Sequence, residues 1–383
     1  MIYFRTGASA LLALTFLAAC NEKVDDAITP PAPKPVAVVA NWGARADSAQ
    51  TALNRSFWAS ENYYLQNSAG QPNFNYWWQG HGLDILLDGY QRTKVLDYTA
   101  KMQQLQQGTK KKNGNTYLNN FYDDMAWQAL ANLRAFQLTQ DPSYKATATL
   151  LWADLKNGWN TEQGGGIAWK KDQRDYKNTP ANAPVAILGA RLYQLDRNPD
   201  DLAWATRIYD WQKKTLVDPT TGAVWDGINR QGNGQIDKDW RFSYNQGVFL
   251  GAGLELYRAT QQSSYLDDAN RTAAYVLNDS QLSPGGVLKD EGAGDGGLFK
   301  GILVRYLAQL ATEPAVSAAT RARYVSFLKF NGESLYSKGM RKSDYLFNTS
   351  WTTQPGGTVD GSTQLSGVMM FEVMADLQAR KLL

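Results

Sequence analysis

The chain of 383 residues holds one cysteine, Cys20, and one histidine, His81. A single thiol at the N-terminal side excludes disulfides, cysteine-based zinc sites and a cysteine nucleophile in the domain that follows. A Ser-His-Asp triad would have to be built on His81 alone, and no GxSxG elbow is present. The phosphate-loop pattern GxxxxGK[ST] is absent as well. The Gly-rich stretch from Lys289 to Gly301 carries acids that would repel phosphate. No basic run exceeds Lys110-Lys111-Lys112, and the formal charge is +3, so nothing calls for nucleic acid. Asn229, Gln231, Asn233-Gly234 and Asp237 echo a calcium loop, but amides stand where carboxylates are needed and no Glu occupies the twelfth position. No metal and no cofactor is expected. No fixed-length repeat emerges, which disfavours a solenoid.

What the chain does have is aromatic surface. Aromatics make up 12% of it, with 13 Trp and 20 Tyr. Flat rings in that number serve a large core or a cleft in which sugars stack. The N-terminus reads as a targeting segment. Arg5 precedes an apolar run from Ala8 to Ala19, too short for a comfortable membrane span. The run ends in Leu17-Ala18-Ala19-Cys20, which resembles a bacterial lipobox. Residues 1–19 are therefore expected to be a lipoprotein signal peptide, with Cys20 carrying the lipid. Residues 20–40 hold Pro30, Pro31, Pro33 and Pro35 and form a semi-extended tether. Glu22, Asp25 and Asp26 resemble the acidic export signals of surface lipoproteins. The expected location is the cell envelope, anchored to the membrane by Cys20 and facing outward from the outer membrane.

Residues 41–383 show no linker that would divide them. Apolar positions recur at three- and four-residue spacing through a dozen segments, among them Ala44 to Ala59, Tyr76 to Tyr90, Asn178 to Leu195 and Ser317 to Tyr336. Asp141-Pro142 and Asn198-Pro199-Asp200 mark helix starts. Short connections such as Gln140-Asp141 alternate with long ones rich in Gly, Trp and polar residues. Alternating short and long loops predict an all-α toroid of helical hairpins, an (α/α)6 barrel, as one monomeric domain. Its long loops would form a cleft on one face.

Phe121-Tyr122-Asp123-Asp124-Met125-Ala126-Trp127 opens one of these helices. Acids are favoured in a first helical turn by the unpaired N–H groups and the macrodipole, so Asp123 and Asp124 could simply cap. Their aromatic setting argues for a second role. Two carboxyls in a partly dry cleft repel, and one pKa must rise. One ionised and one protonated carboxyl is what glycoside hydrolysis requires, and adjacency favours the shorter spacing of retaining enzymes. Other helix starts supply rings and amides suited to hydroxyl-rich ligands. Candidates for substrate contact are Trp77, Trp78, Gln79, His81, Tyr122, Trp127, Trp169, Asn178, Asn182, Tyr244, Asn245 and Gln246.

FYDDMAW, GGGIAW, KNTPANAP, VWDGINRQGNG, FSYNQG and DGGLFKGI, in that order, resemble glycoside hydrolase family 76. The resemblance implies an (α/α)6 barrel. It also implies a bacterial endo-α-1,6-mannanase that retains anomeric configuration, with polysaccharide mannan as substrate. Carried over, Asp123 would be the nucleophile and Asp124 the general acid/base. The residues by themselves give the pair without ordering the roles. Gly232-Asn233-Gly234 departs from the family's NGDG. A glycan-binding surface lipoprotein without turnover, or a mannan transglycosylase, is the competing expectation.

Overall fold

The computed structural model describes residues 40–383. The expected leader, Cys20 and the tether up to residue 39 lie outside the described residues. Twelve α-helices account for most of the chain from Asn41 onward. They are α1 (Trp42–Phe57), α2 (Tyr76–Thr93), α3 (Asp97–Lys112), α4 (Tyr122–Thr139), α5 (Pro142–Lys156) and α6 (Thr179–Asp196). Then follow α7 (Pro199–Leu216), α8 (Ser243–Thr260), α9 (Ser263–Asn278), α10 (Gly296–Ala311), α11 (Ala318–Ser334) and α12 (Gly361–Ala379). The even-numbered helices pack side by side in a closed ring, α2 to α4 and onward to α12, which returns to α2. Each odd-numbered helix lies outside, against an even-numbered one. This is the expected (α/α)6 barrel.

The hydrophobic pattern separates the two rings. α8 and α12 bury nearly every side chain, whereas α7 and α9 bury a single face. Inner helices also approach one another closely. A Cβ at Gly247 would lie 2.7 Å from the Cα of Leu303, and one at Gly301 would lie 2.8 Å from that of Ser366. Only glycine admits those contacts between α8, α10 and α12.

Connections set the polarity of the barrel. Two residues, Gln140-Asp141, Arg197-Asn198 and Gln261-Gln262, lead from an inner helix to the next outer one. In each, the first residue takes a left-handed conformation and returns its N–H to the last helical turn. Asp141 and Asn198 then cap the outer helix, with Pro at its first position. The long loops lie at the other end, where the inner helices begin. They contain five short strands that the sequence pattern missed: β1 (Ala168–Lys170), β2 (Gln173–Asn178), β3 (Gly227–Ile228), β4 (Met340–Arg341) and β5 (Leu346–Phe347). β1, β2 and β3 form one antiparallel sheet, and β2 runs directly into α6. The helix expected to continue to Tyr336 ends at Ser334 and passes into a wider turn before β4.

Candidate active site

Asp123 and Asp124 occupy the first turn of α4, half-buried, where the loops gather. Their surroundings differ. One oxygen of Asp123 accepts the Trp169 indole N–H at 3.0 Å, and the other accepts the backbone N–H of Asp124 at 3.0 Å. No protein donor among the described residues reaches the Asp124 carboxyl. A backbone bridge between Phe121 and Lys170 ties β1 to the start of α4, so the sheet holds Trp169 over Asp123.

Both carboxyls are pushed above the ordinary range, chiefly by burial. The two hydrogen bonds to Asp123 oppose that push by stabilising its anion. Asp124 has no such relief and also feels the charges of Asp123 and Asp295. The donors therefore favour the charge on Asp123 and the proton of the pair on Asp124.

Two acids absent from the sequence candidates complete the site. Asp226, buried just before β3, accepts the Tyr176 hydroxyl at 3.1 Å, the Tyr244 hydroxyl at 3.1 Å and the Asn245 amide at 3.0 Å. Burial raises its pKa, and its charge acts in turn on Asp123. Asp295, exposed just before α10, accepts the indoles of Trp77 and Trp78 at 3.0 and 3.1 Å through a single oxygen. Tyr244 lies flat on Phe299, with ring centres 3.9 Å apart. Asp226 sits in the VWDGINRQGNG stretch, well ahead of α8, and Asp295 directly precedes α10 in DGGLFKGI, so the signal the sequence offered was their place in those two Gly-rich motifs.

The proposed substrate contacts divide by exposure. Trp77 and Trp169 remain partly open to solvent. Tyr244 and Asn245 are buried but reach the site through Asp226. Trp78, Tyr122 and Trp127 are core residues, less than 7% exposed. His81 lies beneath the site, its ring 4.8 Å from that of Trp127 and 5.4 Å from that of Trp77. Burial pushes its pKa down to about 3, so the imidazole is neutral.

The amides have a different task from the one their positions suggested. Gln79 accepts the N–H of Tyr64 and donates to its carbonyl. Asn182 does the same to Ile167, and Gln246 to Val224. Gln364 accepts from Phe347 and donates to the carbonyl of Tyr345. Each amide is the fourth residue of an inner helix and pins the loop leading to that helix. With both polar atoms taken up by backbone, Gln79, Asn182 and Gln246 act as buried loop clamps. Asn178 caps α6 by accepting the Ala181 N–H. Asn229 accepts the N–H of Gly234, closing the Asn-Gly loop on itself.

The profile of Glycosyl hydrolase family 76 matches residues 41–381. The chain belongs to glycosyl hydrolase family 76. It is thus a glycoside hydrolase. Among solved structures, an inactive variant of the α-1,6-mannanase of Salegentibacter sp. HEL1_6, in complex with α-1,6-mannotriose, is 46% identical. The match covers 88% of this chain and 99% of that one, with a TM-score of 0.86. That variant has asparagine in place of two adjacent aspartates. A Listeria innocua protein is 39% identical over 89% of this chain and 99% of that one, with a TM-score of 0.83. Among curated proteins, the mannan endo-1,6-alpha-mannosidase of Candida glabrata is 28% identical over 226 residues, 54% of this chain and 50% of that protein. A putative mannan endo-1,6-alpha-mannosidase of Schizosaccharomyces pombe is 26% identical over 286 residues, 68% of this chain and 64% of that one. The chain spans about half the length of the Candida relative it matches.

Proposed function

We propose that this glycoside hydrolase cleaves the backbone of α-1,6-mannan internally and with retention, using Asp123 as nucleophile and Asp124 as general acid/base. The unequal hydrogen bonding of the adjacent carboxyls carries the assignment. Asp123, held by two donors, attacks the anomeric carbon as a carboxylate. Asp124, still protonated, gives its proton to the departing glycosidic oxygen. The bond to the leaving sugar breaks as the ester to Asp123 forms. Asp124, now ionised, takes a proton from water, whose oxygen attacks the same carbon and releases Asp123. Both residues end as they began.

The substrate class is supported by the Salegentibacter enzyme, whose inactive variants bind α-1,6-mannotriose and α-1,6-mannotetrose. Those variants are disabled at two adjacent aspartates. This chain has four Asp-Asp pairs, at 25–26, 123–124, 200–201 and 267–268. The first lies outside the described residues, and the last two lie on the outer helices α7 and α9. Asp123-Asp124 alone opens an inner helix.

The test is chromatography of products from unbranched α-1,6-mannan. Residues 41–383 should give a ladder of short mannooligosaccharides, with the first-formed reducing ends in the α configuration. Asp123→Asn and Asp124→Asn should lower kcat at least about a thousandfold with the circular dichroism unchanged. Products longer than the substrate would point to transglycosylation, and saturable binding without products to a glycan-binding protein. A folded Asp124→Asn variant of full activity would remove the assignment.

A further inference from the structure

Asp295 has no assigned role, yet it joins three parts of the site. The loop that carries it is held by the Gly294 N–H, which donates to Asp360 at 2.8 Å, ahead of α12. From there its Oδ1 reaches the indoles of Trp77 and Trp78 at the start of α2. Trp78 is buried and cannot turn, so the shared oxygen also fixes the partly exposed Trp77. Trp77 continues downward into the His81–Trp127 pair, one turn below Asp124 on α4. A single exposed carboxyl thus sets the edge between the α2 and α10 sides of the cleft.

We propose that Asp295 is the positioning residue of the acid/base: through the two indoles it fixes Trp77 against Trp127, one turn along α4 from Asp124, and it brings a negative charge to that side of the cleft. This rests on Asp124 being the acid/base. The groups that face Asp124 are few. Asp123 comes from the same helix, Asp295 from the α10 side, and the Tyr76 hydroxyl from α2. Tyr76 donates to the Tyr117 carbonyl at 2.6 Å, and its pKa is raised well above the usual value by burial, so it stays neutral. No ion pair among the described residues includes Asp123, Asp124 or Asp295, and no lysine or arginine is among the groups that act on Asp124. After burial, the anions of Asp123 and Asp295 are what raise the Asp124 pKa. Asp123 must be ionised to attack. Asp295 is therefore the negative charge that can be changed without removing the nucleophile.

The sign follows directly. Removing a nearby anion makes the Asp124 proton easier to lose. The alkaline limb of kcat/KM, which follows that loss, then moves to lower pH.

Asp295→Asn and Asp295→Ala separate charge from positioning. Asn keeps an acceptor oxygen for the indoles, whereas Ala keeps neither feature. For both variants, kcat/KM on unbranched α-1,6-mannan relative to wild type should fall about tenfold between pH 6 and pH 8. The Ala variant alone should also raise KM by about tenfold and change the tryptophan emission. A limb superimposable on the wild type in the Asn variant would overturn the electrostatic half. Equal KM values for Asn and Ala would overturn the positioning half. Failure of the underlying reading looks different: Asp124→Asn would keep wild-type kcat/KM and its own alkaline limb, whatever Asp295 does.

Discussion

The two ends of the barrel hold similar acids in opposite states. Where the inner helices begin, Asp123, Asp124 and Asp226 have no cationic partner, and all three pKa values lie above the ordinary carboxyl range. Where those helices end, arginines answer the acids. Arg134 meets Asp84 at 3.1 Å and Asp88 at 2.6 Å. Arg305 meets Asp88 at 2.7 Å, and Glu255 holds Arg191 at 3.0 Å and Arg258 at 3.2 Å. Burial pushes Asp84 and Glu255 upward too, but two arginines each outweigh it, and both end below the usual range. Glu372 marks the boundary: Arg92 at 2.9 Å does not outweigh its burial, and its pKa is raised. The supply of cations, more than depth, decides which buried acid keeps a proton. These pairs line a cavity of about 620 Å³ at the lower end, where opposite charges face one another and cancel. At the upper end no cation offsets Asp123 and Asp124, and their carboxyls hold a proton more tightly than usual.

The comparison can be broken most forcefully at the paired end. Asp88 answers Arg134 and Arg305 together, about 18 Å along α2 from its first turn. Asp88→Ala should cost about 3 kcal/mol of stability at neutral pH, because the largely buried Arg305 loses its ion partner and Arg134 keeps only Asp84. Urea unfolding checks the cost, and the folded fraction should keep its kcat. A loss under about 1 kcal/mol would mean that the pairs are solvated and interchangeable. A smaller effect belongs to the reacting end. Gln246→Leu should cost about 2 kcal/mol by stranding the Val224 N–H and carbonyl. It should also lower kcat/KM, since the Val224 loop carries Asp226. Unchanged kinetics in a destabilised variant would confine the clamp to folding.

The sequence revealed the ring and the pair more readily than the rest of the site. Helical periodicity is strong over fifteen or more residues, and all twelve helices were visible. The strands are two to six residues long, too short for a period of two to register. Asp123-Asp124 stood out because acids rarely lie among Phe121, Tyr122 and Trp127 without a reason. Gln79, Asn182 and Gln246 stood out for their shared place at helix starts, which is real. Sequence shows the place but not the direction, and each side chain turns back to a backbone 15 to 22 residues upstream. Asp295 was hidden for the opposite reason. Its partners, Trp77 and Trp78, lie 218 and 217 residues away, and only ring closure brings them together.

The most direct test of the account is a pH titration of the aspartate carboxyl carbons by ¹³C NMR in the resting domain. Asp123→Asn and Asp124→Asn would serve as assignments. The account predicts that the Asp123 and Asp124 resonances both titrate above the ordinary aspartate range, with Asp123 ionising before Asp124. In Asp123→Asn, the Asp124 transition should move to lower pH, since a neighbouring anion is gone. Both resonances titrating with the surface aspartates, or Asp124 ionising before Asp123, would contradict it.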